Sequence, residues 1–164
     1  MINSILLQEY TTEYQSQVVD LILHIQQNEY NIAITKEDQP DLLDIENFYQ
    51  HGNGNFWVAL HEGIVVGTVA LLDIGNHKTA LRKMFVKQNY RGKAFNVSNQ
   101  LLQHTIGWAK ERSVEGIYLG TTPQFVAAHR FYEKNGFVSI ALDELPMGFP
   151  VMKVDKKFYK YTIQ

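Results

Sequence analysis

Lys87-Gln88-Asn89-Tyr90-Arg91-Gly92-Lys93-Ala94 is where this chain changes character. Upstream, Phe56–His61 and Ile64–Asp73 are rich in Val, Trp, Phe and Leu and flank the tight pair Glu62-Gly63, which predicts an antiparallel hairpin. Gly75-Asn76-His77 supplies another turn, and Ala80–Val86 predicts a third, central strand. Downstream, Ala94, Val97, Leu101, Leu102, Ile106 and Ala109 recur on or near one face. That spacing predicts a long amphipathic helix over Arg91–Arg112. The octapeptide therefore joins a buried strand to a helix start. The first amides of a helix lack internal partners, and its dipole adds partial positive charge there. Gly92 lets backbone approach a phosphate closely, with Arg91 and Lys93 beside it. Taken alone, the same tripeptide serves as a plain turn carrying two solvated bases. It is neither a P-loop nor a dinucleotide fingerprint: Ala94 and Val97 stand where G-x-G-x-x-G, counted from Gly92, needs glycine.

Outward from this junction, Ile5–Glu9 predicts a short strand. Thr12 and Gln15 form a capping-box pattern, opening a helix with Tyr14, Val18, Leu21, Ile22 and Ile25 on one face. Asn28–Asp41 reads as a loop. Leu42, Leu43, Ile45, Phe48 and Tyr49 suggest a second, shorter helix, stopped by Gly52-Asn53-Gly54. Towards the end of the sequence, Gly116–Gly120 predicts a strand and Pro123 a helix start. Phe125, Ala128 and Tyr132 keep helical spacing through Lys134, and Asn135-Gly136 ends that helix. Phe137–Leu142 is a strand, Asp143–Pro150 a loop and Val151–Tyr161 a final strand. The expectation is one domain over residues 1–164, a mixed α/β sheet with helices on both faces.

Composition narrows the function classes. The chain has 164 residues, 45% hydrophobic and 20% charged, as in an ordinary globular domain. It has no cysteine, which excludes a disulfide framework, a Cys-based zinc site and a thiol nucleophile. A net charge of −2 gives no reason to expect nucleic acid or membrane as partner. Met1 to Tyr10 carry no leader pattern, and the longest apolar stretches fall far short of the roughly 20 residues a membrane helix needs. A cytoplasmic protein is the expectation. The six histidines show no H-x-x-x-H spacing, so no metal site is expected. Ser98 lacks the G-x-S-x-G setting of a serine hydrolase.

Tyr132 alone would be a half-buried helix tyrosine. In Ala128-His129-Arg130-Phe131-Tyr132-Glu133-Lys134-Asn135-Gly136-Phe137, together with Arg91–Asn96, it gains another meaning. The two stretches resemble the GNAT superfamily of N-acetyltransferases, whose motifs read A-x-x-[FL]-Y-E-K-x-G-F and R-G-x-G-x-G/A. The order of helices and strands along the chain is similar too. The resemblance implies a mixed, mostly antiparallel twisted sheet flanked by helices on both faces. It implies acetyl-CoA as cosubstrate, with its pyrophosphate on the turn of Arg91, Gly92, Lys93, Ala94, Phe95 and Asn96. The pantetheine arm would pair with backbone of Met84, Phe85 and Val86, where an amide polarises the thioester carbonyl.

The implied reaction moves acetyl to a primary amine of a small molecule or peptide, by direct attack through a tetrahedral intermediate. Tyr132 would be the general acid that protonates the departing thiolate. This sequence departs from the superfamily pattern at Ala94 and Asn96, and at Phe125, where many relatives carry asparagine. Thr121, Thr122 or Gln124 would then supply the polar contact. Glu29, Asp73 and Glu144 are the candidate bases by loop position. The superfamily's acceptor pocket maps to Gln26–Asp41 and Asp143–Pro150, where Asp143 and Glu144 would favour a cationic amine. The alternative left open is a module that holds acyl-CoA without turnover, favoured by Asn96 and Phe125 and opposed by Tyr132. The aromatic stretch Phe158-Tyr159-Lys160-Tyr161 reads as an edge strand, with a homodimer as the assembly to test.

Overall fold

The computed structural model describes residues 4–164. Met1–Asn3, part of the stretch read as lacking a leader, lie outside the described residues. Seven strands form one sheet: β1 Leu6–Glu9, β2 Asn55–His61, β3 Ile64–Asp73, β4 Lys78–Val86, β5 Gly116–Thr121, β6 Val138–Ile140 and β7 Lys157–Thr162. Their spatial order is β1-β2-β3-β4-β5-β7-β6. The β4–β5 pair is parallel and the other neighbouring pairs are antiparallel. The mixed, mostly antiparallel sheet expected from the sequence is what the chain forms.

The central strands are apolar on both sides because both sides are covered. Along β2, Phe56, Val58 and Leu60 face a core shared with Val18, Ile22 and Ile25. Trp57 and Ala59 face the opposite core, shared with Leu101, Leu102 and Ile106. The helices on the first face are α1 (Gln15–Leu23), which continues as a π-helical turn over His24–Glu29, and the short α2 (Ile45–Tyr49). On the second face lie α3 (Val97–Glu111) and α4 (Val126–Lys134).

Several boundaries differ from the sequence reading. The first helix opens with a 3-10 turn over Thr12–Tyr14 and no side-chain cap, in place of the expected capping box. α3 begins at Val97 and not at Arg91. Gly92 (φ +94°) and Asn96 (φ +56°) both take left-handed backbone, which a helix cannot continue through. The final strand covers Lys157–Thr162 only, with Val151–Lys156 a loop, and it lies between β5 and β6, not at the edge expected for Phe158–Tyr161.

Two local features open the site. First, β4 and β5 are in register only at Lys78–Gly116, Thr79–Ile117 and Ala80–Tyr118, and diverge beyond. Second, the β3–β4 ladder slips between Thr68 and Ala70, opposite Lys83 (φ +55°), whose carbonyl accepts a hydrogen bond from Thr68 Oγ1 at 2.7 Å. A non-glycine residue held left-handed inside a strand costs roughly 1–3 kcal/mol and marks a bulge that re-aims side chains.

Candidate active site

The splay between β4 and β5 holds a cavity of about 310 Å³. Met84, Phe85, Val86, Arg91 and Tyr132, five of the residues singled out in the sequence, share its walls. Gly92, Lys93, Ala94, Phe95 and Asn96 do not line it. They form the turn that leads from its mouth into α3.

That turn is built for open backbone. Asn96 N–H bonds back to Gly92 C=O at 3.0 Å, closing one loop of chain before α3 starts. Gly92 has empty space around its missing side chain, so its role is conformational, supplying φ +94°. Phe95 anchors the turn by packing 4.6 Å from the Tyr90 ring and 5.4 Å from the His61 ring. Tyr90 is fixed in turn by a 2.8 Å hydrogen bond between its hydroxyl and His61 Nδ1. Asn96 is the residue before the helix, yet its side chain makes no cap, leaving the first amides of α3 open. Ser98, in the first turn of α3, lines the cavity below them. It lacks the sequence setting of a hydrolase nucleophile, and nothing in its local sequence marks it as ligand-facing.

Arg91 ties the turn to both sides of the mouth. Its Nε donates to Val86 C=O at 2.8 Å, and its Nη1 pairs with Glu29 Oε1 at 2.9 Å. Lys87 N–H bonds to Val66 on β3, so strand alternation turns Val86 to the opposite, open side of β4. Glu29, a sequence candidate for the base, is thereby occupied. Asp73 accepts from Asn53 and Gly75 amides, and Glu144 accepts from the Ala141 amide. None of these three carboxylates lines the cavity, nor does Asp143.

Tyr132, on α4, is buried, and its ring packs 5.4 Å from Phe137 and 6.1 Å from Tyr159. Among the described residues its hydroxyl has no protein hydrogen-bond partner, and it belongs to the cavity wall. Burial pushes its phenol well above the ordinary tyrosine range, so it holds its proton at any physiological pH. Phe125, just before α4, bridges the cleft: its ring lies 4.6 Å from Tyr30 and 6.1 Å from Phe85. Of the polar residues expected to compensate for Phe125, Thr121 and Thr122 line the cavity and Gln124 is exposed. Thr122 Oγ1 is buried without a hydrogen-bond partner among the described residues.

Sequence reasoning missed the charged inner part of the cavity. Lys83 is 7% exposed, donates to Gln39 Oε1 at 2.5 Å and lies 3.6 Å from Asp41 Oδ2. Asp41 also accepts the Tyr49 hydroxyl at 2.6 Å, and Gln39 pairs reciprocally with Gln26. Burial lowers the Lys83 pKa to about 8 against the pull of Asp41. Arg82 sits over the rings of Phe48 and Tyr49, 5.7 and 5.8 Å from their centroids. Asp155 lines the cavity from the loop before β7, with its carboxyl pushed up by burial.

Among the described residues no helix is long and apolar enough to cross a membrane, and no His, Asp and Glu side chains cluster as for a metal ion.

The sheet, splayed between β4 and β5, thus opens a cleft at whose mouth the left-handed turn leads into α3. Residues 19–137 match the acetyltransferase (GNAT) family, and the chain belongs to that family, which uses acetyl-CoA as cosubstrate. An acetyltransferase of GNAT family from Staphylococcus aureus Mu50 is 40% identical, with a TM-score of 0.95 over 98% of this chain and 100% of that one. The PaiA N-acetyltransferase from Thermoplasma acidophilum, crystallised in complex with coenzyme A, shares the fold at 17% identity, with a TM-score of 0.75 over 97% of this chain and 99% of that one. The N-acetylaspartate synthetase of Xenopus tropicalis is 40% identical over 108 residues, 63% of this chain and 38% of the relative. The chain thus spans little more than a third of the length of that relative.

Proposed function

We propose that this protein transfers the acetyl group of acetyl-CoA to the amine of an α-amino acid by direct attack on the thioester. The observation that supports the reading is Tyr132: a buried side chain whose hydroxyl has no hydrogen-bond partner among the described residues, in a cavity shared with the open edge of β4. The residues present suit the cosubstrate. The uncapped start of α3 and Arg91 would hold the pyrophosphate, with Gly92–Asn96 as the backbone around it. Met84, Phe85 and Val86 would pair with the pantetheine arm, whose amides need strand-like partners. When bound, the thioester supplies an activated acetyl group and a thiolate leaving group.

An amide N–H of β4 would stabilise negative charge on the carbonyl oxygen. Tyr132 O–H would give its proton to the departing sulfur and recover one from the nitrogen. Its raised pKa makes the phenol a weaker acid in absolute terms, but it guarantees that the proton is there to give. The acceptor class is supported by the name of the amphibian relative, which pairs acetylation with an amino acid.

Tyr132→Phe removes one oxygen and no protein hydrogen bond. Single-turnover acetyl transfer should fall by roughly 10²–10⁴-fold while coenzyme A affinity stays within about twofold. A variant that transfers at the wild-type rate makes Tyr132 a packing residue and removes the support for the reading.

A further inference from the structure

We propose that Arg82 and Asp155 read the two charges of the acceptor: Arg82 takes its carboxylate, and Asp155 its ammonium, from which it withdraws the first proton. This rests on the amino-acid reading above and gives that reading its residues.

The two side chains are set opposite each other by the sheet. The last β4–β5 register pair is Ala80–Tyr118. Two residues further along parallel strands, Arg82 comes level with Gly120 across the opening gap. The Asp155 carboxyl lies against Gly120: a Cβ there would fall 2.6 Å from Asp155 Oδ2 and 2.8 Å from its Cγ. Only glycine at this position admits the carboxylate to the cavity wall. Its Oδ2 is held by the Met152 N–H at 3.0 Å, which leaves Oδ1 as the proton acceptor.

Charge accounting isolates the pair. Lys83 is answered by Asp41, and Arg91 by Glu29. Among the described residues Arg82 makes no ion pair, and its Nη2 donates only to Met152 Sδ at 3.3 Å, a weak acceptor. A guanidinium with five donors is matched to a carboxylate. Arg82 and Asp155 line one cavity and make no ion pair with each other, so a zwitterion entering there meets both a cation and a carboxylate. Burial raises the basicity of Asp155, while the Met152 N–H bond and then the Arg82 and Lys83 cations of β4 restrain that rise.

The proton balance closes. One proton passes from the ammonium nitrogen to Asp155 Oδ1 and then to water. The freed lone pair forms the C–N bond, the C–S bond breaks, and the second nitrogen proton replaces the one Tyr132 gives to sulfur.

The test uses the full chain loaded with coenzyme A. Calorimetry compares L-alanine, L-glutamate and L-lysine, each against its α-carboxamide. The wild type should prefer the free acids, and Arg82→Gln should lower acid affinity by roughly 10–100-fold and leave the amides unchanged. Arg82→Lys should restore part of the preference if the first variant folds poorly. A wild type that binds acid and amide equally overturns the Arg82 assignment. With acetyl-CoA, Asp155→Asn should slow single-turnover transfer by roughly 10²–10⁴-fold at neutral pH. The deficit should shrink as pH approaches the amine's own pKa, which a merely structural loss would not do. Wild-type rates in Asp155→Asn overturn its role. A wild type that binds the acids and releases no thiol refutes acetyl transfer and leaves the carboxylate site standing.

Discussion

Removing the buried charge at Lys83 should change the slope of stability against pH. The Lys83 ammonium is 7% exposed, and burial lowers its pKa from 10.5 to about 8. Between those two values the unfolded chain holds a proton that the folded protein has released, so stability rises with pH across the window. Below about pH 8 both states are protonated and the desolvation cost is fully present. Integrating the linkage between about pH 7.5 and about pH 9.5 gives a gain of about 2 kcal/mol for the wild type. Lys83→Met keeps the length and apolar stem of the side chain and deletes the titration. Its curve should lack that gain, whatever its absolute stability after Asp41 loses a cation. Tyr49 and Tyr132 do not confuse the comparison, because burial raises both above the window. Urea unfolding of the two proteins, followed by circular dichroism at matched ionic strength, measures the difference. Parallel curves for wild type and variant would refute the claim that this ammonium is desolvated at neutral pH.

Other perturbations address the mouth and walls of the cavity. Arg91→Ala loses the bonds to Val86 and Glu29 and should weaken coenzyme A binding by roughly 10–100-fold, as one charge-assisted contact is lost; unchanged affinity by calorimetry would take Arg91 out of the phosphate site. Gly92→Glu forces a side chain to φ +94° and adds a negative charge at the turn, so coenzyme A binding should vanish in a protein whose circular dichroism is intact. Gly120→Ala places a methyl group 2.6 Å from the Asp155 carboxylate and should lower acetyl-transfer kcat at least about tenfold with coenzyme A affinity retained; full activity would mean Asp155 can move aside without consequence.

Local signals carried much of this architecture. The hairpin of β2 and β3 was legible because Glu62-Gly63 breaks two long apolar runs, and its predicted limits differ from the observed ones by one residue. The turn over Arg91–Asn96 was legible as a junction, but its helix start was placed six residues early. Ala94 continues the apolar period in sequence, and only the left-handed backbone at Gly92 and Asn96 breaks it. The inner charges were not legible. Asp155 sits in Val151–Tyr161, a stretch read from the sequence as one continuous strand, whereas the strand starts only at Lys157. Its entry into the cavity depends on the bare backbone at Gly120, 35 residues earlier in the chain. Lys83 looks like an ordinary strand lysine, because nothing in its neighbours announces a bulge with φ +55°. Where a side chain points after two strands part is a property of the whole sheet.

The early parting of β4 and β5 also has a colloidal consequence. Sheets usually carry their unpaired edges at the rim, where charge and short length discourage foreign strands from adding. Here, beyond Ala80 and Tyr118, two more edges face each other at the centre. They belong to apolar strands, the kind most prone to recruit another extended chain. The Arg91 guanidinium covers the last carbonyl of β4, and Phe125, wedged between Tyr30 and Phe85, roofs the gap. The large ring in place of a small polar residue thus shields the interior of the sheet whenever no cosubstrate lies there. A chain with asparagine at 125 would depend on bound coenzyme A for that protection and would precipitate first when stripped of it.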